Sequence, residues 1–198
     1  MIPIQYMIEE EDGISFVDHT KAVLEAGCRW IIFCPYSMKL KRAITIAKKI
    51  KALCRSYDAT FTIKDNIELV KAVEADGIFL MDYMSVFKVR QTLGEGFLIG
   101  THSRSAHAIS IMKQLGADYI STGPIDASLP DMVSAVAALT AGVRQLGIDI
   151  PITVYGSFEP DEVPFLIEAG VSGLTFLGGN DFNSGEEVKA YLEPYFKI

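Results

Sequence analysis

The chain has 198 residues, of which 49% are hydrophobic and 22% are charged, and its formal net charge is −7. This composition supplies a sizeable core, so it predicts a single folded domain over residues 1–198 and excludes a disordered chain. No apolar run reaches the roughly 20 residues of a membrane-spanning helix. The acidic balance argues against a nucleic-acid partner, because phosphate backbones are bound mainly by clustered Lys and Arg side chains.

The cysteines and the first residues both favour a cytoplasmic protein. Cys28, Cys34 and Cys54 are odd in number and lack the spacing of metal ligands, which indicates buried, reduced thiols and no zinc site. Residues 1–12 turn acidic after one short apolar stretch, whereas a secretory signal has a basic start and a longer apolar core.

Short apolar runs recur along the chain at intervals of roughly 24 residues, which is about one strand plus one helix. In chain order the eight runs are Ile4–Ile8, Trp30–Cys34, Thr60–Ile63, Gly77–Leu80, Phe97–Gly100, Tyr119–Ser121, Ile152–Val154 and Leu174–Leu177. Continuous apolar strands are typical of a parallel sheet that is buried on both faces.

The segments between these runs carry helix signals. Ala26-Gly27, Leu115-Gly116 and Ala169-Gly170 each end a helical stretch just before a strand, as expected of Gly in the left-handed capping position. Pro130 and Pro160 mark two helix starts. Eight strand–helix units predict an α/β fold, a single TIM (βα)8 barrel, rather than an open doubly wound sheet.

In such a barrel, ligands bind at the carboxyl ends of the strands. Gly156 and Ser157 follow the seventh run, and Gly178 and Gly179 follow the eighth. Glycines at these two places let backbone N–H groups approach a phosphate group. The two clusters together therefore predict a phosphate-binding site, although each alone also fits a tight turn.

Three other strand ends carry polar side chains. Lys64 and Asp65 follow the third run and are candidates for acid–base chemistry, or for binding an anion and a metal ion. Asp65 or the next residue also fits a simple helix cap. His102 ends the fifth run and is a candidate acid–base group. After the sixth run, the hydroxyl groups of Thr122 and Ser128 could bind a diphosphate, or the segment could be only a turn before the next helix.

Several of these segments resemble the motifs of thiamine phosphate synthases and the related TenI proteins, in the family's order and spacing. The matching segments are Tyr6–Glu9, Phe61–Leu69, Ala75–Leu80, Ile99–Ser103, Gly116–Ile120 and Gly123–Ile125. The resemblance covers nearly the whole chain and implies a TIM barrel. It also implies the family reaction, in which an aminopyrimidine diphosphate is joined to a thiazole phosphate, with Mg²⁺ helping diphosphate to leave.

The chain departs from the family pattern mainly where diphosphate and Mg²⁺ would bind. Ile32–Tyr36 stands where the family has a basic motif, and Asp131 replaces a Lys. Asp65 matches one family Mg²⁺ ligand, and the second falls on Met84, with Asp82 close by. The resemblance thus implies Asp65 and Asp82 as metal ligands, with Ser128 replacing a family Thr at the diphosphate.

The departures leave three functional hypotheses open. The first is a synthase-type transferase in which Lys64 or Arg104 replaces the missing cations. The second is a barrel that binds a small phosphorylated molecule resembling thiazole phosphate and does no chemistry on it. The third is an isomerase or lyase that uses Lys64, Asp65 and His102. We expect Cys34 and Tyr36 to make the end of the second strand less polar than in the family. A Lys or Arg directed into that space would instead favour the transferase.

Overall fold

The computed structural model describes residues 2–10, 13–82, 85–178 and 182–197. Within them, eight parallel strands alternate with eight α-helices and pair in chain order from β1 to β8 as a closed barrel. The predicted α/β (βα)8 class is therefore confirmed. None of the described helices combines the length and the apolar character needed to cross a membrane. The single-domain organisation of residues 1–198 stays a prediction.

The strands coincide with the eight apolar runs. They are β1 (Ile4–Ile8), β2 (Trp30–Phe33), β3 (Thr60–Lys64), β4 (Gly77–Leu80), β5 (Leu98–His102), β6 (Tyr119–Asp126), β7 (Ile152–Ser157) and β8 (Gly173–Leu177).

The helices occupy the intervals. They are α1 (Phe16–Ala26), α2 (Leu40–Ser56), α3 (Ile67–Val73), α4 (Val86–Leu93), α5 (Ala106–Gln114), α6 (Pro130–Gln145), α7 (Val163–Glu168) and α8 (Gly185–Leu192), followed by a 3₁₀ helix at Glu193–Phe196. The predicted Gly caps at residues 27, 116 and 170 all have positive φ angles. Pro130 begins α6 as predicted, whereas Pro160 lies in the turn before α7.

Strands β6 and β7 are longer than the apolar runs predicted. Beyond a register shift between Thr122 and Ile125, the pairing resumes, with Ile125 opposite Gly156 and Asp126 opposite Ser157. Gly156 permits this pairing, because a Cβ atom there would lie 2.0 Å from the backbone oxygen of Ile125. The segment expected to be a turn after the seventh strand is therefore part of β7.

The described residues form two compact units. The first contains the described residues within 3–79 and 176–198, and the second contains those within 80–175. In the first unit, α2 buries a stripe of small and apolar side chains at helical spacing, namely Ala43, Ala47, Ile50 and Cys54. In the second unit, β5 to β8 contribute a fully buried set, namely Ile99, Ile120, Val154 and Leu174.

Candidate functional site

In the first unit, three residues at the ends of successive strands form one hydrogen-bonded chain. Glu9 follows β1, Tyr36 lies three residues after β2, and Lys64 ends β3. The hydroxyl group of Tyr36 donates to Glu9 Oε1 at 2.5 Å, and Lys64 Nζ lies 3.3 Å from Tyr36 Oη. Lys64 Nζ also lies 5.0 Å from the centroid of the Tyr36 ring, within the range of a cation–π contact.

A small cavity of about 90 Å³ opens beside this chain. Its lining comes from the ends of β2 and β3 and consists of Cys34, Pro35, Tyr36, Lys64, Asp65 and Asn66. The expectation that Cys34 and Tyr36 make the end of the second strand less polar than in the family is overturned, because a Lys lines this space. Cys34 is buried as an apolar thiol would be, but Tyr36 is 59% exposed with its hydroxyl in a polar network. Lys64 is directed into the same space.

The local sequence explains why β3 ends here. Asp65 takes a left-handed conformation with φ 51°, and its N–H donates to the carbonyl oxygen of Phe79 at 2.9 Å. Asn66 is the N-cap of α3, since its Oδ1 accepts from the N–H of Leu69 at 2.8 Å. The cap predicted for Asp65 or its neighbour thus belongs to Asn66, and Asp65 stands at the mouth between strand and helix.

Among the residues that the structure describes, Lys64 forms no direct ion pair. The ion pairs among the described residues involve other side chains, and Lys64 contacts the neutral hydroxyl group of Tyr36. A cation in this state at a strand end is suited to bind an anionic group of a ligand.

In the second unit, His102 ends β5 and presents a neutral ring. Its Nδ1 lies 3.1 Å from the carbonyl oxygen of Ser121, which can only accept, so Nδ1 carries the proton. Burial is the main cause that lowers the pKa of His102. The hydrogen bond to Ser121 raises the pKa, and the positive charge of the nearby Arg104 guanidinium lowers it further. The Nε2 atom of this tautomer therefore holds a lone pair, as a general base requires.

Arg104 lies close to the same residues. Its Nε donates to the carbonyl oxygen of Gly123 at 2.7 Å, and Nη2 donates to the same oxygen. Burial raises the pKa of Tyr155, and Arg104 partly offsets that rise. The Tyr155 ring packs edge-to-face with His102, with 5.7 Å between ring centroids. Like Lys64, Arg104 forms no ion pair with a carboxylate among the residues described.

The predicted diphosphate-binding hydroxyls lie in different surroundings. Thr122 is buried in β6 and lines a cleft of about 230 Å³ with Arg104 and apolar residues of α6. Ser128 is exposed, and its hydroxyl group donates to Asp126 Oδ1 at 2.6 Å. An anion at Ser128 would therefore meet the Asp126 carboxylate, which the sequence patterns did not single out.

The predicted backbone phosphate donors also have structural roles. Gly156 and Ser157 belong to β7 and pair with β6. The N–H of Gly178 donates to the carbonyl oxygen of Met7 at 2.9 Å. Gly179 lies outside the described residues. The phosphate site at these glycines stays a prediction.

The residues proposed for Mg²⁺ do not form a complete site in the described structure. Asp65 and Asp82 are exposed oxygen donors of the type that Mg²⁺ prefers, and Asp82 Oδ2 accepts from the hydroxyl group of Ser85 at 3.2 Å. Met84, at the second family position, lies outside the described residues. The described residues hold no group of three or more side chains of metal-binding type. The described side chains therefore do not fit a metal site in which the protein alone supplies the ligands.

Sequence reasoning missed three participants, which are Glu9, Tyr155 and Asp126. Each follows a strand directly or lies in its last residues, so position alone could have marked them. The contacts of Glu9 and Tyr155 could not be read from the sequence, because the hydrogen-bond partner of Glu9 is 27 residues away and the ring that packs on Tyr155 is on another strand.

Comparisons with known proteins agree with this architecture. Residues 5–179 match the family model described as thiamine monophosphate synthase. The chain is 26% identical over 186 residues to a thiamine-phosphate synthase of Bacteroides fragilis, covering 90% of this chain and 91% of that protein. It is 29% identical over 185 residues to the thiamine-phosphate synthase of Phocaeicola vulgatus, covering 89% of each.

A solved structure shows the same fold. The thiamine phosphate pyrophosphorylase from Pyrococcus furiosus superposes with a TM-score of 0.81 at 20% identity, covering 99% of this chain and 94% of that one. Because the family model spans most of the chain, the protein belongs to the thiamine monophosphate synthase family.

Proposed function

We propose that this protein is a synthase-type transferase that joins an aminopyrimidine diphosphate to a thiazole phosphate and releases diphosphate. The observation that carries the proposal is Lys64, which lies in the cavity at the end of β2 where the family's basic motif is missing. It forms no direct ion pair with a described carboxylate. The relatives from Bacteroides fragilis and Phocaeicola vulgatus, named thiamine-phosphate synthases, support the reaction class.

Lys64 binds the diphosphate group, and Arg104, exposed and held by Gly123, binds a phosphate group of either substrate. Charge-assisted contacts of this kind stabilise a departing diphosphate as negative charge develops on it. The Nε2 atom of His102 accepts a hydrogen bond from a substrate, because the other ring nitrogen, Nδ1, donates to the carbonyl oxygen of Ser121. The Mg²⁺ ion that the family resemblance implies stays a prediction and takes part in no step of this proposal.

A second candidate function is binding of a phosphorylated small molecule without turnover. It is favoured by the carboxylate of Asp126, which occupies the hydroxyl group of Ser128, and by Asp131 where the family has a Lys. These acids make that segment a poor place for a diphosphate, since like charges repel. A monophosphate bound elsewhere would be unaffected by them.

An end-point assay by mass spectrometry separates the two functions. The protein is incubated with thiazole phosphate, aminopyrimidine diphosphate and Mg²⁺, beside the Bacteroides fragilis synthase as positive control. We expect thiamine phosphate above background and at least a tenfold loss in Lys64→Ala, because one charge-assisted contact contributes about 1.5–3 kcal/mol. Lys113→Ala removes an equal charge from exposed α5 and should leave the rate unchanged.

The remaining outcomes are informative in different ways. No product, together with a melting temperature that rises with thiazole phosphate, would overturn the transferase and establish the binding function. No product and no thermal shift with either substrate would overturn both candidates.

A further inference from the structure

The Lys64 ammonium group is restrained through a single neighbouring residue. Its Nζ atom lies 3.3 Å from the hydroxyl oxygen of Tyr36 and 5.0 Å from the centroid of the same ring. A free Lys side chain samples many rotamers, and ordering it on binding lowers affinity. The two contacts to Tyr36 restrict that freedom before any ligand arrives.

Tyr36 is in turn oriented by Glu9. The distance from Tyr36 Oη to Glu9 Oε1 is 2.5 Å. Partial desolvation of the hydroxyl group, together with this hydrogen bond, raises the pKa of Tyr36, so the hydroxyl group keeps its proton and donates a hydrogen bond to the carboxylate. The oxygen lone pairs of Tyr36 are then left to accept from Lys64. The direction of the chain is therefore Lys64 to Tyr36 to Glu9, each group donating to the next.

The backbone is strained at two residues that line the cavity beside Lys64. Tyr36 has φ 33° and Asp65 has φ 51°, both in the left-handed region that residues with a side chain rarely occupy. Strained residues of this kind persist where the surrounding structure holds them and are concentrated at functional sites. Here they flank the cavity of about 90 Å³.

We propose that Tyr36 and Glu9 are positioning residues, which hold the Lys64 ammonium group in place to bind a terminal phosphoryl group of the diphosphate substrate. This inference rests on the function proposed above and deepens it by assigning roles to Tyr36, which stands in the place of the basic motif, and to Glu9 after β1. Glu9 has two opposing effects on an anionic ligand. Its negative charge repels the anion, whereas its hydrogen bond orients Tyr36 and so strengthens anion binding at Lys64.

The opposing effects of Glu9 provide a sharp test. Isothermal titration calorimetry measures the Kd of inorganic pyrophosphate for the intact protein, with and without Mg²⁺ and without any organic substrate. Lys64→Ala should raise Kd at least tenfold, the loss of one charge-assisted contact. Tyr36→Phe, which keeps the ring, should raise Kd about threefold to tenfold through the lost ordering of Lys64. Glu9→Ala should also raise Kd.

Three comparisons exclude a merely structural or merely electrostatic role. Glu9→Gln keeps an oxygen that accepts from Tyr36, so it should bind pyrophosphate at least as tightly as the wild type. Glu168→Gln removes an exposed charge on α7 and should change nothing. In the Lys64→Ala background, Tyr36→Phe should have no further effect, because its effect acts through Lys64.

The inference is overturned if Glu9→Ala binds pyrophosphate more tightly than the wild type, as repulsion alone requires. It is also overturned if Tyr36→Phe and Lys64→Ala weaken binding independently, or if the wild type does not bind pyrophosphate. None of these results depends on product formation, so the coupling assay tests the proposed function separately.

Discussion

Arg90 Nη2 lies 2.6 Å from Asp118 Oδ2, and this pair joins α4 to the start of β6. The same Asp118 oxygen accepts from the N–H of Ile99 in β5 at 2.7 Å. Arg90, with a side chain only 10% exposed, also donates to the carbonyl oxygens of Gly94, Phe97 and Gly116. Asp118 belongs to a motif shared with the family, and its contacts give that motif a structural role.

The same arrangement recurs in the other unit. Asp76 precedes β4, its Oδ2 accepts from the N–H of Phe61 in β3 at 2.7 Å, and its Oδ1 lies 2.9 Å from Lys51 Nζ of α2. Before β8 the position is Ser172, whose Oγ accepts from the N–H of Ile152 in β7 at 3.3 Å. In three cases, therefore, a side chain one residue before an even-numbered strand accepts a hydrogen bond from a backbone N–H near the start of the preceding strand.

Replacing Arg90 should strongly destabilise the fold. Arg90→Met removes the charge and five donated hydrogen bonds and leaves the Asp118 carboxylate without its ion-pair partner. Removing one partner of a fully buried pair costs about 3–5 kcal/mol, and because the Asp118 side chain is 39% exposed, we expect a smaller loss of about 2–3 kcal/mol. Urea unfolding monitored by circular dichroism should show this loss, whereas Lys88→Met on the exposed face of α4 should stay within about 0.5 kcal/mol of the wild type. Equal effects of the two variants would contradict a clamp at Arg90.

Ser172→Asp should supply an acidic capping group before β8, like Asp76 before β4 and Asp118 before β6. Arg144 of α6 lines the same surface cavity as Ser172, in the place that Arg90 and Lys51 take in the other two cases. An exposed ion pair contributes roughly 0–1 kcal/mol, so we expect a small rise in the free energy of unfolding. The rise should disappear in an Arg144→Ala background and at high salt. A rise that survives both conditions would contradict the pairing with Arg144.

His19 should make the protein lose stability in mild acid. The side chain is 1% exposed, with its Nε2 at 3.0 Å from Tyr6 Oη, and burial lowers its pKa from 6.5 to about 4. Between these values the unfolded chain binds more protons than the folded one, so stability falls as the pH falls from 6.5 towards 4. The full loss is about 3 kcal/mol.

The free energy of unfolding measured by urea titration at several pH values checks this expectation. His19→Gln removes the titrating group, so its stability should fall less over that interval than that of the wild type. His107→Gln, at an exposed position of α5, should follow the wild type. Parallel curves for the wild type and His19→Gln would show that another group causes the acid sensitivity.

Gly156→Ala tests whether this glycine is needed for the sheet itself. Its Cβ would lie 2.0 Å from the backbone oxygen of Ile125, and the residue has φ 148°. Backbone cannot yield cheaply at this distance, so β6 and β7 should separate and the melting temperature should fall steeply. Gly147→Ala, with φ 71° and open space around it, should cost only about 1 kcal/mol from the strained φ angle. Similar melting temperatures for the two variants would contradict the tight approach of the strands.

Eight apolar runs were enough to predict the eight strands and the barrel. Burial on both faces of a parallel sheet requires continuous apolar residues, and this requirement is local in the sequence. Gly27, Gly116 and Gly170 marked helix ends for an equally local reason, since glycine adopts positive φ with little strain. The extensions of β6 and β7 were missed because Gly156 and Pro124 look like turn residues, and only pairing between the strands reveals them.

The sequence by itself determined the order of strands and helices, the family, and the presence of polar residues at the strand ends. Only the tertiary structure decided which of those residues meet. The end of β2 reads as apolar because Cys34 is buried and Tyr36 carries no charge, yet Lys64 and Glu9 reach it from β3 and β1. Side-chain pairing across neighbouring strands depends on register and on chain closure over tens of residues, which no local pattern encodes.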